Sequence, residues 1–273
     1  MKSVIALCVF LALATGAHAA DPAPASIQAL AFVVLAEPAL PSAEKVAASL
    51  RTRLGDAQPV TAVSAQDPQA FVMRVSGGTV TVMLADRPIP NQELDHICRQ
   101  AWYWKTACEA VAAHRAHLVV TLMGTTLGKV DAALLLTQVM ASLMDANAIA
   151  SYWGESLQSR DDFLRQGASA SRERLPIMLW VHFRLSHDPL AGWAISTSGM
   201  QGFGLLEIEC RNAPVDGRSL FGLAAGMVNY LLTKGPVIQD GDTIGESASQ
   251  SIVVRKAPSY WNPGQTVYRI AYP

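Results

Sequence analysis

What this chain of 273 residues can fold into is limited first by the length of its apolar runs. Ile27–Leu35 (IQALAFVVL) and His117–Met123 (HLVVTLM) have the length of a strand and the turn-forming neighbours that predict buried strands. A membrane helix needs about 18 or more apolar residues in a row. The best candidate, residues 130–150, is interrupted by polar residues and predicts a buried helix. The interruptions are Asp131, Gln138, Asp145 and Asn147.

Helical patterns lie between the strand-like runs without strict alternation. Ser42 is a typical N-cap before an apolar-periodic stretch, residues 91–114 are the longest helical candidate of the first half, and another helix starts at Asp216 or Gly217. From Leu175 the chain is rich in strand-like segments, which read PIMLWVHFRL, GWAIST and GFGLLEIEC. The sequence therefore predicts an α+β fold, with mixed or antiparallel sheets and packed helices.

The N-terminus has the parts of a secretory signal peptide. Lys2 precedes an apolar run, and Ala17-His18-Ala19 is a small-x-small cleavage pattern. We therefore expect residues 1–19 to be a signal peptide, 20–26 a linker and 27–273 a single α+β domain. The mature protein is expected to be exported, to the periplasm or out of the cell.

Two stretches of the sequence resemble each other. FVVL followed by KVAASL in the first half is similar to LVVTL followed by KVDAAL in the second. So short a match leaves open whether the domain consists of two similar halves, with subdomains that divide near residue 115.

The charge balance excludes some classes of partner. The chain has 21 basic and 22 acidic residues, and removal of Lys2 leaves 20 against 22. A nearly neutral chain offers no electrostatic footprint for nucleic acid or for an anionic membrane. Another protein remains the expected partner.

Cysteine spacing and histidine spacing give no cofactor motif. Cys98 and Cys108 on one continuous helix would lie about 15 Å apart, whereas a disulfide needs Cα atoms within about 7 Å. Such a bond requires a break near Trp104, so with Cys210 we expect three buried thiols, the alternative being one bridge and one free thiol. No C-x-x-C-H haem motif is present, and His114-x-x-His117 lacks the acidic partner of a zinc protease. Neither a cofactor nor a metal is predicted.

A polar cluster is the main candidate for chemistry. Alternation places His182 on one side of its strand with Arg184 and Trp180, and Glu207 with Glu209 on one side of theirs. A carboxylate pair beside a histidine could perform acid–base catalysis, and a solvated sheet face with cross-strand ion pairs is the simpler interpretation.

A second acidic segment could contribute to the same cluster. Asp240 and Asp242 lie in DGDTIGE, which favours a tight turn over a calcium loop, because Ile244 stands where an EF-hand needs an oxygen ligand.

Several short motifs together resemble a known family. They are AFVVLAEP, WYWKTA, AHLVVTLMG, YWG, LPIMLWV, TSGMQGFGLLEIE and DGDTIG, in this order from about Leu30 to Val254. The chain resembles the bacterial family known as domain of unknown function 4261. The resemblance implies no reaction, cofactor or catalytic residue, and the signal peptide sets this chain apart from the cytoplasmic members of that family.

Three functional hypotheses remain, of which the last is a purely structural envelope domain. The first is an exported, non-enzymatic protein-binding module, of the immunity type or an envelope accessory factor, with Trp153 and Trp180 as the candidate binding surface and no catalytic residue. The alternative is a hydrolase or metal-dependent enzyme that uses the cluster of His182, Glu207, Glu209, Asp240 and Asp242. Convergence of these side chains in one concave pocket would favour the enzyme.

Overall fold

The computed structural model describes residues 27–55, 59–63, 67–245 and 251–272. The predicted signal peptide and linker lie outside these residues. The described part of the chain forms two sheets with seven packed α-helices, which confirms the α+β prediction. No helix in it is both long and apolar enough to cross a membrane.

The first sheet is antiparallel and has the strand order β2-β3-β4-β5-β1-β6-β7. The two predicted strands, Ile27–Leu35 and Ala116–Met123, are central in this sheet, and both have fully buried side chains. The strands are β1 (Ile27–Leu35), β2 (Val60–Val63), β3 (Ala70–Val75), β4 (Gly78–Ala85), β5 (Ala116–Met123), β6 (Ala148–Trp153) and β7 (Ser156–Ser159).

Helices cover both faces of this sheet. On one face α1 (Ala43–Leu54) packs against α4 (Lys129–Leu143), and α5 (Arg160–Ala168) contacts α4. On the other face α2 (Asn91–Gln100) and α3 (Ala107–Ala112) form a separate apolar cluster with β1, β6 and β7.

The two similar sequence stretches occupy equivalent positions in the first sheet. The units β1-α1-β4 and β5-α4-β6 interlock in the strand order β4-β5-β1-β6, which is the split βαβ arrangement. Because β5 pairs with both β4 and β1, the sheet does not divide near residue 115. The last strand of the first sheet instead ends at Ser159, and the first strand of the second sheet begins at His182.

The segment between α2 and α3 corrects the sequence prediction. The predicted helix over 91–114 is broken by turns over residues 101–106, so α2 and α3 pack on each other. Cys98 and Cys108 are therefore brought to a Cα–Cα distance of 4.9 Å and form a disulfide. The expectation of three buried thiols was wrong, because it assumed a continuous helix. Cys210 is free and buried, and burial raises its pKa to about 11.

The second sheet has the order β11-β12-β13-β10-β9-β8, in which β10 and β13 are parallel and the other pairs antiparallel. The helix α7 (Gly217–Lys234) begins as predicted, with Asp216 as N-cap, and packs on one face. Its strands are β8 (His182–Asp188), β9 (Gly192–Ser198), β10 (Ile208–Ala213), β11 (Thr243–Ile244), β12 (Ile252–Pro258) and β13 (Thr266–Ala271).

Strand β8 is shorter than its apolar sequence predicted. Ile177–Trp180 form a helical turn, α6, after Pro176, and the strand begins only at His182. Trp180 therefore does not share a strand face with His182. One apolar cluster includes side chains from both sheets, such as Leu35 of β1 and Ile195 of β9.

The disulfide gives a prediction about stability. Closing a loop of this length lowers the entropy of the unfolded chain, so replacing Cys98 and Cys108 with Ala should lower the free energy of unfolding by about 3 kcal/mol. Urea unfolding with and without a thiol reductant measures this. The wild type and Cys210→Ala should be destabilised by the reductant, and the double variant should not respond. A reductant effect that persists in the double variant would contradict the bridge.

Candidate functional site

Polar side chains from three strands form rows on the face of the second sheet that α7 does not cover. The register places His182 opposite Ser198, Arg184 opposite Ser196, and Ser196 opposite Glu209. Phe183, which lies between His182 and Arg184 in sequence, points to the opposite face. There its ring lies 5.2 Å from that of Phe221 in α7. The alternation of the strands thus gathers charged and hydroxyl groups on one surface.

These rows line a cavity of about 270 Å³. The three predicted residues His182, Glu207 and Glu209 all contribute to its wall. The other lining residues are Glu155, Arg184, Ser196, Thr197, Ser198, Gln201, Ser259, Trp261, Asn262 and Gln265.

The carboxylate of Glu207 holds the turn that follows β9. It accepts hydrogen bonds from the Thr197 hydroxyl at 2.7 Å and from the backbone N–H groups of Gly199 and Gln201 at 3.0 and 3.2 Å. Burial raises the pKa of Glu207 despite these bonds. These hydrogen bonds come from the chain itself. The role of the Glu207 carboxylate is therefore to position the turn, and not to bind a ligand.

The carboxylate of Glu209 holds a second turn, between β12 and β13. It accepts hydrogen bonds from the Ser259 hydroxyl at 2.5 Å and the Tyr260 N–H at 2.7 Å. The Ser259 oxygen in turn accepts from the N–H groups of Trp261 and Asn262 at 3.1 and 2.8 Å. Glu209 thereby fixes the residues at the rim of the cavity.

His182 is buried and neutral near pH 7. Burial, followed by the nearby charges of Arg184 and His96, lowers its pKa from 6.5 to about 4. Its Nε2 lies 3.2 Å from Oε1 of Gln100, which also accepts from Nε of Arg184 at 2.8 Å. Since that oxygen only accepts, we assign the imidazole proton to Nε2. Gln100 ends α2, and sequence reasoning gave no signal for its role here.

The arrangement is better suited to binding than to acid–base catalysis. A histidine with a pKa of about 4 is a weak base at neutral pH. Both buried carboxylates are hydrogen-bonded to the protein's own turns. Within the described residues, no group of three or more His, Cys, Asp or Glu side chains could hold a metal ion.

Asp240 and Asp242 do not join the cluster, which corrects the prediction for these two residues. They lie near β11 and β12, beyond β13 from the cavity. Asp240 accepts a hydrogen bond from the Lys256 N–H at 2.8 Å, and Asp242 accepts one from the Gln239 N–H at 2.7 Å. The Asp242 carboxylate stabilises a local turn, in agreement with the simpler sequence interpretation, and the Asp240 carboxylate ties this turn to β12.

Trp153 and Trp180 do not form an exposed surface. Trp153 is 9% exposed and Trp180 is 1% exposed. Their rings lie 6.3 Å apart, and Trp180 Nε1 donates to the Thr137 hydroxyl at 2.9 Å. The prediction of a binding surface at these residues was wrong, because α6 turns Trp180 into the core that both sheets share.

The exposed aromatic residues of the site are Tyr260 and Trp261, at 39% and 41%. Arg211 lies over both rings at 4.6 and 4.7 Å, and Arg269 lies over the Tyr260 ring at 3.9 Å. We call these four residues the aromatic–arginine surface. Sequence reasoning missed it, although two aromatic residues within the Pro- and Gly-containing turn PSYWNPG were a usable signal.

Gly199 gives a test of the turn that Glu207 holds. Its φ of +118° is disfavoured for other residues, and an added Cβ would lie 2.5 Å from the carbonyl oxygen of Trp180. Gly199→Ala should therefore lower the free energy of unfolding by about 2 kcal/mol or more in urea titrations. The matched control is Gly202→Ala in the same turn, where a Cβ meets nothing within 4 Å. Equal stability of the two variants would contradict this account of the turn.

His182 gives a prediction about pH dependence. Its folded-state pKa of about 4 lies below the unfolded value of 6.5, so the unfolded chain binds more protons between these values. The stabilisation is fully present above pH 6.5 and is lost as the pH falls towards 4, by about 3 kcal/mol in total. His182→Gln should flatten this part of a series of urea unfolding curves, and His187→Gln, at an exposed site, should not. An unchanged slope in His182→Gln would refute the assignment.

Comparison with known proteins bears on the second sheet. No curated protein and no solved structure matches the chain. A family model matches residues 196–271, which run from within β9 through β13 and include both buried carboxylates and the aromatic–arginine surface. That model is described as "Domain of unknown function (DUF4261)", so the match over residues 196–271 supports the resemblance that the motifs indicated.

Proposed function

We propose that this chain is an exported, non-enzymatic binding protein that engages another protein through the aromatic–arginine surface. The observation that carries the proposal is the exposure of Tyr260 and Trp261 on a turn that the buried Glu209 carboxylate holds in place. Tryptophan, tyrosine and arginine are the residues that most often dominate protein interfaces.

The rigidity of this surface supports a role in recognition. Two guanidinium groups lie over the Tyr260 ring, and the backbone N–H of Tyr260 is fixed by Glu209. Side chains that are already ordered lose little conformational entropy when a partner binds. Arg211 forms no ion pair with a carboxylate in the described part of the chain. A partner that presents an acidic group would satisfy it.

Two observations support export. Residues 1–19 have the pattern of a signal peptide. The Cys98–Cys108 disulfide is a bond that forms and persists in oxidising compartments such as the periplasm and the cell exterior.

The enzyme alternative is less well supported. His182, Glu207 and Glu209 share a cavity, as an enzyme would require, but each has a local role. The carboxylates bond to neighbouring turns, and the imidazole is bonded to Gln100. The His182 imidazole, with a pKa of about 4, is a weak base near neutral pH, where general acid–base catalysis favours a better-matched group.

The proposal predicts that partner capture depends on Trp261. The oxidised mature chain, residues 20–273, would be immobilised and exposed to exported proteins of the same cell. Captured proteins would then be identified by mass spectrometry, and their affinity measured with each variant. Trp261→Ala should weaken binding by about 2 kcal/mol, or roughly thirtyfold in Kd, because an exposed anchor in a preordered site is lost.

The matched control is Tyr230→Ala, which removes an exposed aromatic residue of α7 outside the surface. It should bind the partner as the wild type does. A partner whose affinity is equally unaffected by Trp261→Ala and Arg211→Ala would refute the proposed surface, and so would the absence of any specific partner.

A further inference from the structure

The cavity beside the aromatic–arginine surface contains hydroxyl groups that the protein does not use. Ser196 is 8% exposed, lines the cavity and makes no side-chain hydrogen bond within the described residues. Ser198, two residues along the same strand face, is also unpartnered there. The oxygens of both hydroxyls reach the open space of the cavity, where a ligand or water can hydrogen-bond to them. Strand β9 therefore offers two adjacent hydroxyls to a ligand.

The charged groups around these hydroxyls already have partners. Arg184 lies 3.6 Å from the Glu155 carboxylate and donates to Gln100. Glu207 and Glu209 accept hydrogen bonds from their turns. An ionic ligand would have to compete with these contacts and would find no unpaired charge of opposite sign on the wall. The wall groups without a partner among the described residues are neutral: the Ser196 and Ser198 hydroxyls and Nδ1 of the His182 ring.

Size and shape narrow the ligand further. The cavity volume of about 270 Å³ lies just below the range of drug-sized sites, which starts at about 300 Å³, so it suits one small molecule. Trp261 and the amide side chains of Asn262 and Gln265 line the side of the cavity next to the rim. An indole ring packs well against the C–H groups of a saturated ring, and amides and hydroxyls bind its hydroxyl groups.

We propose that this cavity binds a small, neutral, polyhydroxylated ligand of the size of one sugar ring. Ser196 and Ser198 hydrogen-bond the ligand hydroxyls, and Trp261 packs against its apolar face. The inference rests on the proposed function in one respect, because Trp261 belongs both to the cavity and to the aromatic–arginine surface.

The test uses the oxidised mature chain and named sugars in ligand-observed NMR and calorimetry. The neutral probes are glucose, galactose, mannose and N-acetylglucosamine, and the charged probes are glucuronate and glucosamine. At least one neutral probe should bind, and more tightly than either charged probe. Diacetylchitobiose separates two sources of the ligand: tighter binding than N-acetylglucosamine points to the end of a glycan, and equal or weaker binding points to a free sugar.

The variant Ser196→Ala/Ser198→Ala should lose about tenfold or more in affinity for the bound sugar, since two ligand hydrogen bonds are removed. The matched control is Ser186→Ala, at an exposed position of β8 outside the cavity. It should bind as the wild type does. Urea unfolding shows whether each variant remains folded.

Three results would overturn the inference. They are no binding of any neutral probe at about 50 mM, tighter binding of a charged probe, and equal affinity in the double serine variant. The partner-capture experiment separates this failure from that of the proposed function. If the double serine variant still captures the protein partner, the proposed role of the aromatic–arginine surface stands, whether or not any sugar binds.

Discussion

The apolar side chains that alternate along β8, β9 and β10 pack towards α7, and this constraint determines what the opposite face carries. Phe183 and Ile195 belong to the buried set. The residues that alternate with this buried set point to the opposite face and align across the strands. Arg184 lies opposite Ser196, and Ser196 lies opposite Glu209. A shift of one residue in any pairing would reverse the faces of that strand and place charges against the helix. The polar surface is thus a consequence of the apolar one.

A buried carboxylate costs free energy unless hydrogen bonds replace its hydration. Glu207 and Glu209 obtain these bonds from backbone N–H groups and hydroxyls of two turns that belong to no strand ladder. These hydrogen bonds replace the lost hydration of the carboxylates, and they also order the turns after β9 and β12. This explains why two acidic residues on one face of a strand serve to hold the walls of a cavity.

The parts of this site that local periodicity controls could be predicted from the sequence. Alternation placed His182 with Arg184 and identified Glu207 with Glu209. The separation of Asp240 from them could not be predicted, because it depends on which strands pair, and the parallel pairing of β10 with β13 is a long-range choice.

The other sequence errors have equally specific causes. The helical pattern of residues 91–114 conceals the turns that allow Cys98 and Cys108 to meet. The apolar run before β8 does not reveal that Pro176 starts a helical turn, which moves Trp180 from a strand face into the core.

The cavity is completed by a segment from the first half of the chain. Gln100 bonds both His182 and Arg184, and two residues later Trp102 Nε1 donates to the Phe183 carbonyl at 2.9 Å. These contacts lie within the loop closed by the Cys98–Cys108 disulfide. The rim and the hydroxyl groups thus lie within the segment shared with the family, whereas the His182 and Arg184 wall depends on residues outside it. That wall is therefore held by the loop that the disulfide closes, and not by the second sheet alone.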